Sequence, residues 1–292
     1  MPLLGQHGKA SQARTDDRGG IFPVCANPNC TASWTGLWRR REGPVFEGRR
    51  TCSEPCSASR VEAALFREMD ARGGDYEPHR HRIPLGLAML ELGWITQSQL
   101  RSALAAQKSA GAGRLGEWLV RQGGASEEQV TRAVGLQWGC PVLNTEIDHP
   151  QSLTPLVPRL FVDAFRALPL RLAAGKILYL GFEDRLDAAL ALALERMTGL
   201  RVECGVVEEA SFRQAHAFLL EAAFPRTELI EASAEPALAA ALAKAIERAR
   251  PVESRLVRVH DCLWLRMWLR RQQGPLPDLN SVLDVIASTG LR

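Results

Sequence analysis

Four of the seven cysteines stand in two close pairs, Cys25-Ala-Asn-Pro-Asn-Cys30 and Cys52-Ser-Glu-Pro-Cys56, with the segment 31–51 between them. A zinc ion takes four thiolates at about 2.3 Å in a tetrahedron, and a short loop can present two sulfurs from one turn. The pattern points to one zinc held by Cys25, Cys30, Cys52 and Cys56. Disulfides are the other use of such pairs, and they need an oxidising compartment. The N-terminal stretch 1–20 carries no apolar segment flanked by basic residues, so no secretion signal is read and a cytoplasmic setting is expected. Cys140, Cys204 and Cys262 are isolated in apolar surroundings and read as small core residues. No other group is organised for catalysis. The Gly-Lys pairs, Gly8-Lys9 and Gly175-Lys176, lack the upstream glycine and the Ser or Thr of a phosphate loop. His149, His216 and His260 are scattered, and His79 and His81 stand in a polar stretch without partners. No catalytic residue is assigned, and no hydrolysis of ATP or GTP is expected.

The elements around the cysteines fit a metal module. Pro28 and Pro55 favour turns inside the two loops. After Cys56 the segment SASRVEAALFREMDAR reads as a helix, with Val61, Leu65 and Met69 on one face. The second cysteine pair then lies at a helix N-terminus, where the positive end of the dipole favours thiolates. A cysteine loop, a β-like excursion and a second cysteine loop opening a helix resemble a treble-clef zinc finger. Trp34, Trp38, Arg39, Arg40, Arg41, Arg49 and Arg50 lie between the loops. Aromatics among arginines suit nucleic acid. The simpler reading has the tryptophans covering a small core and the arginines facing water.

Farther along, the chain repeats itself. PLGLAMLELGWITQSQLRSALAAQ (84–107) aligns without a gap on RLGEWLVRQGGASEEQVTRAVGLQ (114–137), so that Leu85 meets Leu115 and Gln107 meets Gln137. Each copy reads as a short helix, a glycine stop and a longer helix. Gly93 and Gly123 suit a left-handed helix end. Thr96-x-x-Gln99 and Ser126-x-x-Gln129 are capping boxes that start the second helix. Leu100, Leu104 and Gln107 share one helix face, as do Val130, Val134 and Gln137. An apolar face ending in glutamine is a place where a core gives way to a polar contact.

Beyond Cys140-Pro141 the pattern changes. Helix is expected over 156–165, strands over 168–173 and 176–182, helix over 187–197, strand over 200–207 and helices over 209–224 and 235–250. Strands alternating with helices indicate a small α/β layer. In CLWLRMWLR, Leu263, Leu265, Met267 and Leu269 alternate with Trp264, Arg266 and Trp268, the period of a strand in a hairpin. Packing beneath a helix accounts for the tryptophans most simply, and a partner surface is the alternative. The expected class is α+β: a small four-cysteine zinc module, a helical two-repeat domain, a small α/β layer and a C-terminal β-hairpin. The boundaries read are 1–20 disordered, 21–71 zinc module, 72–83 linker, 84–145 repeat domain, 146–224 α/β subdomain and 225–292 C-terminal helix and hairpin. With 46% apolar and 24% charged residues the chain is globular, and its net charge of +3 does not imply nucleic-acid binding by the whole chain. The longest apolar runs, 188–194 and 237–243, are too short to span a membrane.

The doubled motif resembles the cyclic di-GMP-binding N-terminal domain of type II secretion and type IV pilus assembly ATPases, the MshE or GspE N-terminal type. The second copy carries the whole pattern in Arg114, Leu115, Gly116, Leu119, Gly123, Val130, Val134 and Gln137. The first carries it in Leu85, Gly86, Met89, Gly93, Leu100, Leu104 and Gln107, but Pro84 replaces the opening arginine. The stretch resembling the family runs over about 84–224. The resemblance implies that each half cradles part of the dinucleotide and that Arg114, solvent-facing at a helix start, contacts guanine. Gly86 and Gly116 would admit the ligand, Leu85 and Leu115 would meet the bases, and Gln107 and Gln137 would donate and accept. Pro84 removes a guanidinium and a backbone donor from the first half-site, with Arg82 nearby. The function expected is a non-catalytic, cyclic di-GMP-responsive protein of a secretion or pilus system. A nucleotide-independent adaptor docking a secretion or pilus assembly protein is the rival, and a zinc-finger nucleic-acid binder the third reading.

Overall fold

Two residues with positive φ, Glu47 (49°) and Gly48 (75°), turn the first hairpin, in the manner of a type I′ turn between short strands. The computed structural model describes residues 25–31, 43–70, 82–145, 150–232 and 234–289. The hairpin joins β1 (Val45–Phe46) to β2 (Arg49–Arg50), and α1 (Glu54–Asp70) follows. α1 buries Val61, Ala64 and Leu65 on one side. The expected disorder of 1–20, most of the linker, and Trp34, Trp38 and Arg39–Arg41 lie outside the described residues.

The repeat folds as two helical pairs, α2 (Leu85–Glu91) with α3 (Gln97–Ala110), and α4 (Leu115–Arg121) with α5 (Glu127–Trp138). Both capping boxes form, Thr96 with Gln99 and Ser126 with Gln129. Gly93 and Gly123 both take φ +68°, the left-handed conformation that stops the first helix of each pair. Met89, Ile95, Leu100, Ala103, Leu119 and Ala133 make the shared core.

A 3₁₀ turn, Pro150–Leu156, and α6 (Arg159–Ala164) lead into the α/β layer. Helix was expected to run unbroken over 156–165. Pro158 lacks the N–H a continuous helix would need, so it sits as the cap of α6. β3 (Ala167–Ala173) pairs antiparallel with β4 (Ile177–Phe182), turning at Ala174 and Gly175. β4 pairs in parallel with β5 (Arg201–Val206) through α7 (Ala188–Thr198), whose N-cap Asp187 accepts from the N–H of Leu190 at 2.9 Å. α8 (Glu209–Leu220) follows; helix was expected through Phe224, but it stops at Leu220 with Glu221 as its C-cap, and Pro225 disfavours helix only at Phe224.

The last part is a four-stranded sheet rather than a hairpin alone. β6 (Arg226–Ala232), β7 (Glu253–Val259), β8 (Cys262–Trp268) and β9 (Val282–Thr289) lie in the order β6-β9-β8-β7, with α9 (Glu235–Ala249) after β6. β7 and β8 form the expected hairpin, and β9 inserts between β8 and a parallel β6. Both faces of β8 are covered. Leu263, Leu265 and Met267 pack with α1 and α9, while Trp264 and Trp268 pack with Phe161, Phe182 and Leu194 of the α/β layer. Trp264 is 0% exposed and Trp268 7%, so this face is interior and offers no partner surface. Arg266 on the same face is buried with them. It donates to Asp284 from Nε at 2.7 Å and Nη2 at 2.8 Å, and to the carbonyl of Leu156 at 2.9 Å. A buried ion pair persists only when its remaining polar atoms are met, and here Trp264 supplies a further donor to Asp284 at 2.7 Å.

Candidate functional site

The four paired cysteines converge. All their sulfurs lie within 4.8 Å of one another, with Cys30 and Cys52 3.5 Å apart and Cys52 and Cys56 3.7 Å apart. Thiolates at about 2.3 Å from a tetrahedral ion stand about 3.8 Å from each other, so the set fits a metal ion. No disulfide joins them. Local hydrogen bonds shape the first loop. Asn27 accepts from the N–H of Asn29 at 2.9 Å through its side chain and from that of Cys30 at 3.1 Å through its carbonyl. Its amide also donates to the sulfur of Cys56 at 3.5 Å, binding the first loop to the second. Cys52 and Cys56 flank the start of α1, where backbone N–H groups and the dipole favour negative sulfur. Burial pushes Cys25 up and Cys52 up to about 12, with neighbouring thiols adding to the rise at Cys52. A cation reverses that preference by favouring thiolate. Arg50, read as one of a basic set, donates to the carbonyl of Gly43 at 2.9 Å and so braces the hairpin.

The repeat brings its two motif halves face to face. A methyl group added at Gly86 would lie 2.6 Å from Leu100 and 3.3 Å from Leu115, and one added at Gly116 would lie 2.6 Å from Val130 and 3.7 Å from Leu85. The glycines therefore let each short helix meet its own long helix and the other half's leucine. Met89, Leu100 and Leu119 are core residues. Gly93 and Gly123 sit at helix ends, away from that crossing. Leu104 is exposed, while Val130 and Val134 are half-buried. Gln107 donates to the carbonyl of Gly113 and Gln137 to that of Ile83, both at 2.8 Å. Each amide thus anchors the chain just ahead of the opposite half. Arg82 lies over the Trp138 ring, 3.2 Å from its centroid.

Arg114 is not free in water as a helix-start arginine was expected to be. It reaches Glu117 at 2.8 Å, Glu183 at 3.0 Å, Asp184 at 2.8 Å and Glu209 at 2.8 Å. Burial opposes its charge, but Asp184 and Glu117 outweigh that and hold the guanidinium above its ordinary value. Glu183 is 7% exposed and also meets Arg166 at 2.7 Å. Burial alone would raise its carboxyl, yet Arg166 and Arg114 hold it below the usual carboxylate range. Sequence reasoning missed Glu183, Asp184 and Glu209. The available signal was an acidic pair closing the apolar strand ILYLGF, at the end of a strand in an α/β layer.

No protein-family model matches the chain. Over 134 residues, 45% of its length, the chain is 32% identical to the type IV pilus assembly ATPase PilB of Thermus thermophilus, covering 15% of that protein. Over 127 residues it is also 35% identical to bacteriophage adsorption protein B of Escherichia coli K12, covering 42% of this chain and 16% of that one. Among solved structures, MshE with cyclic di-GMP aligns at 27% identity with a TM-score of 0.39, over 47% of this chain and 99% of that one. The chain thus spans 15–16% of the length of these curated relatives. The Gly175-Lys176 pair is the tip of a hairpin between β3 and β4, not a phosphate cradle. Among the described residues no helix is long and apolar enough to cross a membrane.

Proposed function

We propose that the chain is a non-catalytic regulatory module of a type II secretion or type IV pilus assembly system that responds to cyclic di-GMP through the second half of its repeat. The pairing of Arg114 with Asp184 carries this reading. Arginine reads the O6 and N7 acceptors of guanine with two parallel donors. A carboxylate beside it can accept from the N1–H and exocyclic amine of the same base. Asp184 is the most exposed of the four carboxylates on Arg114, so it is the one a base would exchange with most readily, while Glu117, Glu183 and Glu209 keep the guanidinium in place. Leu85 and Leu115 would flank the base, with Leu104 and Val134 beyond them, and the glutamine-anchored loops would wall the site. Zinc is the ion proposed for the four cysteines, and a reduced cytoplasmic setting suits them. The test is calorimetric titration of the full chain with cyclic di-GMP, with GTP as control. Saturable heat weakened by Arg114→Ala supports the reading, and flat heat removes it.

Two observations favour the adaptor reading. Pro84 leaves the first half without guanidinium or backbone donor, and both motif glutamines already have backbone partners. Similar stretches also occur in a pilus ATPase and a phage adsorption protein, two proteins of different name, which suits a portable docking module. On this reading the domain binds a machine component and no nucleotide.

A further inference from the structure

The four-cysteine centre sits at one end of a strut that reaches the far half of the chain. α1 leaves the centre at Cys52 and Cys56 and lays Val61, Ala64 and Leu65 in one core with Leu238, Leu242 and Ile246 of α9. In its first turn the buried Ser57 donates to Glu247 of α9 at 2.5 Å and meets the hydroxyl of Thr51 at 2.6 Å. Near its last turn Glu68, 2% exposed, accepts from Arg196 of α7 at 2.5 and 3.0 Å and from the N–H of Arg258 in β7 at 3.1 Å. The hairpin between the cysteine pairs runs along the outer edge of β7. Val45 donates to the carbonyl of Pro251 at 3.0 Å, Glu47 to that of Ser254 at 2.8 Å, and the Ser254 hydroxyl to the carbonyl of Val45 at 2.7 Å.

Hairpin and helix come together at the cysteines. Ala26 donates to the carbonyl of Arg50 at 2.8 Å, and Asn27 reaches Cys56. A two-stranded hairpin of this length has little stability of its own, and an isolated helix is marginal. Metal binding free energy therefore becomes folding free energy for both. We infer that the metal is a structural pin for the C-terminal sheet: it holds the β1-β2 hairpin against the open edge of β7 and α1 against α9. This role rests on the metal reading of the four cysteines. It assigns the centre to the inside of the molecule rather than to nucleic-acid recognition. The repeat has its own core and lies outside the pinned region.

Hydrogen exchange on the full chain tests this, with metal content measured beforehand and with chelator added under reducing conditions. Removing the ion should speed exchange about tenfold or more across α1, α9 and β7 and leave residues 84–137 unchanged. The Glu68→Gln variant should keep its metal and loosen β7 and α7 alone, separating the strut from the ion. If bound metal is found and its removal affects only residues 25–56, the pin is wrong while the metal site stands. If the purified chain holds no metal and chelator changes nothing, the metal reading itself fails and the pin with it.

Discussion

Gln137 donates from its side-chain amide to the carbonyl of Ile83, and at the matching position of the first copy Gln107 does the same to Gly113, both at 2.8 Å. The two donors are as far apart in sequence as the two acceptors, so each half of the repeat locks the entry to the other. The Gln137→Ala variant should lose about 0.5–1.5 kcal/mol of stability, one hydrogen bond of this kind. Thermal unfolding of single and double Ala variants at 107 and 137 would check it. Full stability in the double variant would mean the amides are not fastening the repeat.

Gly86 and Gly116 are required by packing whether or not a ligand binds. A side chain at either would press on Leu100 or Val130. Gly116→Ala should destabilise the fold by about 1–3 kcal/mol, the usual range for overpacking. Val130→Ala on top of it should recover part of the loss. A Gly116→Ala variant as stable as the parent would show that the helices can separate freely.

Asp284 holds the buried Arg266 in a region closed to water. Asp284→Ala should cost about 3–5 kcal/mol, because it leaves the guanidinium buried without its counter-charge. Denaturant unfolding followed by tryptophan fluorescence suits the test, since Trp264 also donates to Asp284. A loss below about 1 kcal/mol, the scale of an exposed ion pair, would contradict the buried geometry.

His260 and Asp187 join the C-terminal sheet to the α/β layer at 2.6 Å. The hydrogen bond to Asp187 holds His260 above its ordinary value, against its partial burial, with Asp261 adding to the rise and Arg185 opposing it. The unfolded value is about 6.5, so this stabilisation is complete below that pH and fades as pH rises through the folded value. His260 is 43% exposed, which limits the effect to about 1 kcal/mol or less. Stability measured from pH 6 to 9 should fall less steeply in His260→Gln than in the parent. Identical slopes would remove the pair from the account.

Local signals were readable where one segment decides the outcome. The capping boxes at Thr96 and Ser126 and the stops at Gly93 and Gly123 depend only on neighbours in sequence, and they formed as read. The cysteine cluster was readable because two short Cys loops suffice to bring four sulfurs together. β6 was not, since RTELIEA is a sheet-edge strand with charges on both faces and shows no apolar alternation. β9 was hidden by Asp284, a charge that belongs inside only because Arg266 comes from another strand. The same distance hid the environment of Arg114, whose partners Glu183, Asp184 and Glu209 arrive from a separate layer.

Calorimetric titration of the full chain with cyclic di-GMP, beside Arg114→Ala and Pro84→Arg, tests the proposed function most directly. The account predicts saturable binding that Arg114→Ala weakens about tenfold or more, equivalent to about 1.5–3 kcal/mol for a charge-assisted contact. Pro84→Arg should tighten it by completing the first half of the motif. No heat of binding in the parent or in Pro84→Arg, with the metal present and the fold intact, would contradict a nucleotide-responsive module and leave the adaptor.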